Sequence, residues 1–282
     1  MRSGQRVLVL LCLLLTAGGF AAGGERIVIK GSTTNLPIAQ LAAEEFIELH
    51  PNTSVSVQGG GSGTGIAALI DGTTDIASSS RFMRTSEWRT AVERGVLPYN
   101  WHIANDGLAI VVHPTNPVDD LTFADIRAIY TGEITNWSAL GGPDLRIVAV
   151  SRDTASGTFG SFREMVLEGK EVRAPGALFQ PSNAAVEGAV ADTQGAIGYI
   201  GLGYLNPRVK AVNVAATDSD AYVEPLLDTV VAGTYPLARS LFMITNDFPS
   251  GAALDFIMFV LSDRGQRLVE QAGYVPIRAL DS

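Results

Sequence analysis

Cysteine is all but missing from this 282-residue chain: its one example, Cys12, sits in the first two dozen residues. A disulfide framework is excluded, and so is any thiolate metal site or thiol nucleophile beyond that segment. Lysine is nearly as scarce, with Lys30, Lys170 and Lys210 alone, and 20 Lys plus Arg against 29 Asp plus Glu give a net charge of −9. Nucleic-acid affinity comes from clustered cations that release counterions, so no nucleic-acid partner is expected. Charged residues amount to 17% against 46% hydrophobic, which rules out a disordered tail or a coiled coil. The three histidines, His50, His102 and His113, are scattered without metal-ligand spacing, so neither metal nor cofactor is expected. No G-x-x-x-x-G-K-[ST], G-x-S-x-G or S-x-x-K occurs, which removes the usual parts of nucleotide hydrolysis and serine acyl transfer.

The first residues form a unit of their own. Arg2 and Arg6 make a basic start, Val7 to Thr16 is an apolar run, and small residues follow from Ala17 to Gly24. This predicts a cleavable secretory signal over residues 1–23, with the cut after Ala21 or Gly23, and a periplasmic or secreted mature protein. Leu11, directly before Cys12, stands where a lipoprotein signal needs a small residue, which argues against a lipid anchor. No stretch reaches the roughly 18 uncharged apolar residues of a membrane-spanning helix. Losing Arg2 and Arg6 leaves the mature chain more acidic still.

What remains alternates short β-branched runs with helical patterns, the signature of an α/β fold. Ile27 to Lys30 reads as a strand, and Pro37 opens a helix with Ile38, Leu41, Ala42, Phe46 and Leu49 on one side, stopped by Pro51. Strands follow at 54–58 and 75–78, with a short helix at 66–70 closed by Gly72. A second block starts near Asp106, with strands at 108–113, 147–150, 196–200 and 209–214. In it Thr122 and Asp125 form a capping box and Gly132 ends the helix. An apolar strand at 241–245 and a helix capped by Ser250 close the pattern. Without a Pro- or Ser-rich linker, the chain is expected to cross between two lobes on strands.

The chemistry concentrates in four turns rich in glycine and hydroxyls: 31–34 (GSTT), 59–65 (GGGSGTG), 78–81 (SSSR) and 151–158 (SRDTASGT). Any one of them is ordinarily a helix cap or a positive-φ turn. Four such turns at strand ends offer converging N–H and O–H donors, an anion cradle at the edge where open α/β sheets bind ligands. Arg152 adds a bidentate fork for an oxyanion, and Asp153 beside it is available to orient the guanidinium. Gly63-Thr64-Gly65-Ile66-Ala67-Ala68 also fits a weak dinucleotide fingerprint. The acidic partner such a site needs is at best Glu87, in a helical pattern, so that reading is set aside.

Arg152-Asp153-Thr154-Ala155-Ser156-Gly157-Thr158 resembles the R-x-D-x-S-G-T segment of the periplasmic phosphate-binding proteins that feed the Pst-type ABC transporter. Gly31-Ser32-Thr33-Thr34, Gly61-Ser62-Gly63 and the run from Asp75 to Arg81 are similar to that family's other anion loops, and Ile103 to Pro117 and Ile134 to Trp137 resemble it too. The resemblance, which runs from about Arg26 to the C-terminus, implies a two-lobed periplasmic-binding-protein (Venus flytrap) fold. Each lobe would be a mostly parallel sheet flanked by helices, with the ligand in the cleft between 24–105 plus 238–282 and 106–237. It implies capture of inorganic phosphate for the transmembrane subunits of an ABC permease by a monomer that catalyses no reaction. Carried over by position, Ser32, Thr33, Thr34, Ser62, Arg152, Ser156, Gly157 and Thr158 would donate to phosphate. Asp106, Asp153 and Arg81 would support them. Ser79 stands where some members have an Asp that accepts the proton of monohydrogen phosphate, which leaves oxyanion binding firmer than phosphate selectivity. The alternatives are a binder of sulfate or arsenate, a phosphate-responsive signalling or surface protein, and an exported phosphoesterase.

Overall fold

The computed structural model describes residues 24–280, so the secretory leader expected at 1–23, Cys12 included, lies outside them. The elements run β1 (Glu25–Gly31), α1 (Leu36–Leu49), β2 (Thr53–Gln58), α2 (Ser62–Ile70), β3 (Ile76–Ser79), α3 (Thr85–Glu93), β4 (Pro98–Val112), β5 (Asp120–Thr122), α4 (Phe123–Thr131), β6 (Val148–Arg152), α5 (Gly157–Met165), β7 (Leu178–Gln180), α6 (Asn183–Ala191), β8 (Ala196–Gly201), β9 (Lys210–Ala215), α7 (Leu227–Val231), β10 (Ala238–Asn246), α8 (Gly251–Leu261) and α9 (Asp263–Gln271). The strands form one sheet in the order β2-β1-β3-β10-β4-β8-β6-β7, with β9 on β4 and β5 on β9. β1 is parallel to β2 and β3, while β10 runs antiparallel to both β3 and β4.

Two large cores lie along this sheet, and β4 contributes to both. Trp101, Ile103 and Ala104 pack with Ile27, Ile29, Phe46 and Phe256, whereas Leu108 to Val112 pack with Tyr130, Phe162, Ile197 and Tyr199. β4 thus passes from one core into the other within a single strand. It starts at Pro98 rather than near Leu108, because Asn100, His102, Asn105 and Asp106 interrupt the apolar signal although Trp101, Ile103 and Ala104 are buried.

The caps expected around α4 are present. Asp125 N–H donates to Thr122 Oγ1 at 3.1 Å, Thr122 N–H donates back to the Asp125 carboxylate, and Gly132 closes α4 at φ 86°. Ser250 occupies the N-cap position of α8 but makes no side-chain cap bond. α2 begins at Ser62, four residues before the expected start, so Gly63 and Gly65 are helical despite their low propensity. The reason is packing: a Cβ on Gly65 would lie 2.3 Å from Lys30 O, so only glycine lets α2 sit against β1. The sequence pattern also gives no element at α6, whose Ser182 cap receives Ala185 N–H at 3.0 Å.

Candidate functional site

Four segments converge: the end of β1 with the first turn of α1, the start of α2, the end of β3, and the turn from β6 into α5. Gly61, at φ 96°, allows contact across the gap. A Cβ at this position would lie 2.7 Å from Ala155 O, and Gly63 N–H donates to that same carbonyl at 2.8 Å. Gly157 opens α5 directly against Ser62 and Ser80, whose hydroxyls would lie 2.1 and 2.5 Å from a Cβ there. Ser32, Thr34, Ser62, Arg152, Ser156 and Thr158 are all buried.

Arg152 is 1% exposed. Its Nε donates to Gln180 O at 3.1 Å, and its Nη2 donates to Pro181 O at 3.0 Å and to Thr33 Oγ1 at 3.1 Å. Nη1 is buried without a hydrogen-bond partner. Desolvation lowers the Arg152 pKa against the opposing pull of Tyr199 and Asp153, and nearby Arg239 lowers it further. A cation in this position calls for an anion.

Asp153 does not orient that guanidinium as the sequence suggests. Its Oδ1 accepts from Ala155 N–H at 2.9 Å and Ser156 N–H at 3.0 Å, shaping the turn instead. Backbone carbonyls of 180 and 181 hold the arginine, contacts that no spacing in the sequence reports. Ser79 is likewise turned away: its hydroxyl donates to Arg81 O at 2.7 Å. Ser80 is the residue of that loop at the convergence, its Oγ 3.4 Å from Ser62 Oγ and its N–H donating to Ser62 Oγ at 3.0 Å. Arg81 makes a bidentate ion pair with Glu87, 2.8 Å on each prong, and so braces the loop rather than facing the centre. Ser156 caps α5 through Phe159 N–H at 3.1 Å and keeps its O–H to donate.

Asp106 is fully buried and lies across β4–β10 from Arg239. Arg239 Nε and Nη2 donate to Asp106 Oδ2 at 2.9 and 2.8 Å, and Leu202 N–H donates to Oδ1 at 3.0 Å. Burial pushes the Asp106 carboxyl above its ordinary pKa despite the pull of Arg239. Arg239 Nη2 also reaches Thr158 Oγ1 at 3.2 Å and Thr34 Oγ1 at 3.4 Å, and its Nη1, like that of Arg152, is buried without a partner. Sequence reasoning misses both Arg239 and Asn183. The signals that could have found them are a lone Arg in the apolar run from Leu237 to Thr245, and Pro181-Ser182-Asn183 as a helix start. Tyr204 and Tyr274 hold the first loop by donating to Thr33 O at 2.6 Å and Thr34 O at 2.7 Å. A 410 Å³ cavity adjoins the convergence, touching Ser80, Ser161 and Arg239. A larger one of 600 Å³, beside Val230 and Leu280, has none of these donors in its lining.

Residues 18–264 match the family model described as the PBP superfamily domain. The chain is 33% identical over 267 residues to the phosphate-binding protein PstS of Pseudomonas aeruginosa, covering 88% of this chain and 82% of that protein. It is 33% identical over 264 residues to PstS of Bacillus subtilis, covering 93% and 84%. Among solved structures, a substrate-binding protein of Clostridium perfringens with bound phosphate superposes with a TM-score of 0.82 at 31% identity, over 90% of this chain and 100% of that one. An ABC-type phosphate transport receptor from Vibrio cholerae gives 0.70 at 34% identity, over 88% and 99%.

Proposed function

Because the chain belongs to the PstS-like phosphate-binding proteins of the PBP superfamily, we propose that its two lobes close over one phosphate anion at the convergence of β1, α2, β3 and α5. The protein captures inorganic phosphate for an ABC importer. The observation that carries this reading is the buried Arg152 Nη1, a charged donor without a partner, in a site otherwise built of hydroxyls and helix starts. We place the lobes at 24–105 plus 238–280 and at 106–237, supported by β4 contributing to both cores and by β10 pairing along it. The ligand set is Ser32, Thr33, Ser62, Ser80, Arg152, Ser156, Gly157 and Thr158, with Thr34 and Arg239 behind them as supports. Ser79, Asp153 and Arg81 hold loops. The partner after capture is the importer's transmembrane subunits, the protein acts as a monomer, and the leader at 1–23 directs it across the membrane.

No reaction is assigned to the site. Its one buried carboxylate, Asp106, is committed to Arg239 and Leu202 N–H rather than free to take a proton from an attacking water. A ligand that binds only the folded, closed state stabilises it by RT ln(1 + [L]/Kd), about 4 kcal/mol at a thousandfold excess over Kd. Phosphate added to protein stripped of ligand is therefore expected to raise the melting temperature by several degrees. An unchanged melting point with phosphate, arsenate and sulfate alike would contradict the assignment.

A further inference from the structure

We propose that Asn183 and the Arg239–Asp106 pair act as positioning residues that fix the proton sense of the Thr33, Thr34 and Thr158 hydroxyls. On this side the site then offers only donors, and a proton-bearing oxygen of the anion must face Ser80. This rests on the phosphate reading above and assigns the source of its selectivity.

Lone pairs decide the proton sense. A hydroxyl has one proton and two acceptor sites, while a guanidinium can only donate. Gly201 N–H donates to Asn183 Oδ1 at 3.3 Å, which turns the amino group toward the threonines. That group donates to Thr33 Oγ1 and to Thr34 Oγ1, both at 3.2 Å. Thr33 Oγ1 also receives Arg152 Nη2, so both its acceptor sites are taken and its proton must point outward. One Nη2 proton of Arg239 goes to Asp106 and the other is shared between Thr34 Oγ1 and Thr158 Oγ1, so with Asn183 the acceptor sites of Thr34 are filled and in its 2.8 Å contact with Thr158 Oγ1 it is Thr34 that donates. Thr158 then accepts from both Thr34 and Arg239, and its own proton is also left to point outward. The Asp106 carboxylate keeps Arg239 in place by taking two of its N–H groups.

The serine side is wired differently. Ser80 Oγ has one contact, the 3.4 Å approach of Ser62 Oγ, in which either atom can donate. It therefore retains the freedom to accept. Ser156 keeps an acceptor site too, but it caps α5, where the helix N-terminus favours ionised ligand oxygens over a protonated one. Ser80 precedes no helix start, since α3 begins only at Thr85. Other ionisable groups also face the threonines. Arg152 on β6 and Arg239 on β10 are cations, Asp106 on β4 is paired, and burial pushes Tyr199 and Tyr204 up to about 12 and Tyr274 well above the ordinary phenol range.

The test is calorimetry of phosphate and sulfate on ligand-stripped protein, across the second ionisation of phosphate. With Ser80 the one acceptor placed to favour a protonated oxygen, the singly protonated dianion is the form that fits, so wild-type affinity for phosphate is expected to fall about tenfold per pH unit on the acid side. Asn183→Ala frees an acceptor site on Thr33 and on Thr34, admits the doubly protonated form, and flattens that slope; a purely structural loss would lower affinity equally at every pH. Ser80→Ala is expected to weaken phosphate on the order of tenfold to a hundredfold, and sulfate, which has no proton, much less. Thr33→Val should weaken both anions by the same factor. Ser80→Gly is the second variant at that position, and unliganded melting points check that each protein is folded. An Asn183→Ala slope equal to wild type, or a phosphate-to-sulfate ratio moved by Thr33→Val or Ser156→Ala as much as by Ser80→Ala, would overturn the proposal. Wild type that binds no oxyanion at any pH would instead overturn the phosphate reading on which it rests.

Discussion

Arg152→Ala is expected to weaken phosphate binding by about 3–5 kcal/mol, roughly two to four decades in Kd, and to leave the unliganded protein within about 1 kcal/mol of wild type. The two halves of this expectation have one cause. Without an anion the Arg152 guanidinium is a buried cation whose Nη1 has no partner and whose charged form burial disfavours. Removing it relieves that desolvation while giving up the bonds to Gln180 O, Pro181 O and Thr33 Oγ1. With the anion present the same cation is its main compensating charge. Arg152→Lys should fall between, because an ammonium restores the charge but not the fork that reaches two carbonyls and a hydroxyl at once. Phosphate titrations and unliganded melting curves on the three proteins check both halves. An Arg152→Ala protein with wild-type affinity would return this residue to a structural role.

Asp106→Asn is expected to act in the opposite way, destabilising the unliganded protein by about 3–5 kcal/mol while enlarging the stabilisation that phosphate confers. Asp106 is 0% exposed, and its Oδ2 takes two N–H groups of Arg239. The neutral amide leaves Arg239 buried without its counter-charge and close enough to Arg152 for each to feel the other. An arriving anion then compensates two guanidinium groups rather than one. Denaturant titrations with and without saturating phosphate separate the effects. Unliganded stability equal to wild type would show that the pair contributes nothing net, and a smaller phosphate effect would show that Asp106 works on the anion other than through Arg239.

The local parts of the fold are legible in the sequence because they depend on near neighbours. Thr122 with Asp125 and Gly132 bound α4 as expected, and the Ile27–Ile29 alternation marks β1. The parts that escape are set by tertiary contact. α2 extends back through glycines because β1 leaves no room for a Cβ at Gly65, and β4 runs through Asn105 and Asp106 because those polar groups find partners across the sheet. The site follows the same division. Ser62, Thr158 and Arg152 are recoverable from turn chemistry and spacing. The braces of Arg152 are carbonyls of Gln180 and Pro181, and its companion Arg239 comes from a strand 87 residues later in the chain, which no motif connects to it. The choice between Ser79 and Ser80 turns on which hydroxyl the β3 turn spends on its own backbone, a matter of one residue of twist.

A crystal structure of the protein grown with phosphate tests the central claim most directly. One anion is expected between the lobes, with Arg152 Nη1 and the Thr158 hydroxyl donating to it and the Arg239–Asp106 pair intact behind Thr34. Phosphate bound elsewhere, such as in the larger cavity beside Val230 and Leu280, with Arg152 Nη1 still unpartnered, would contradict it.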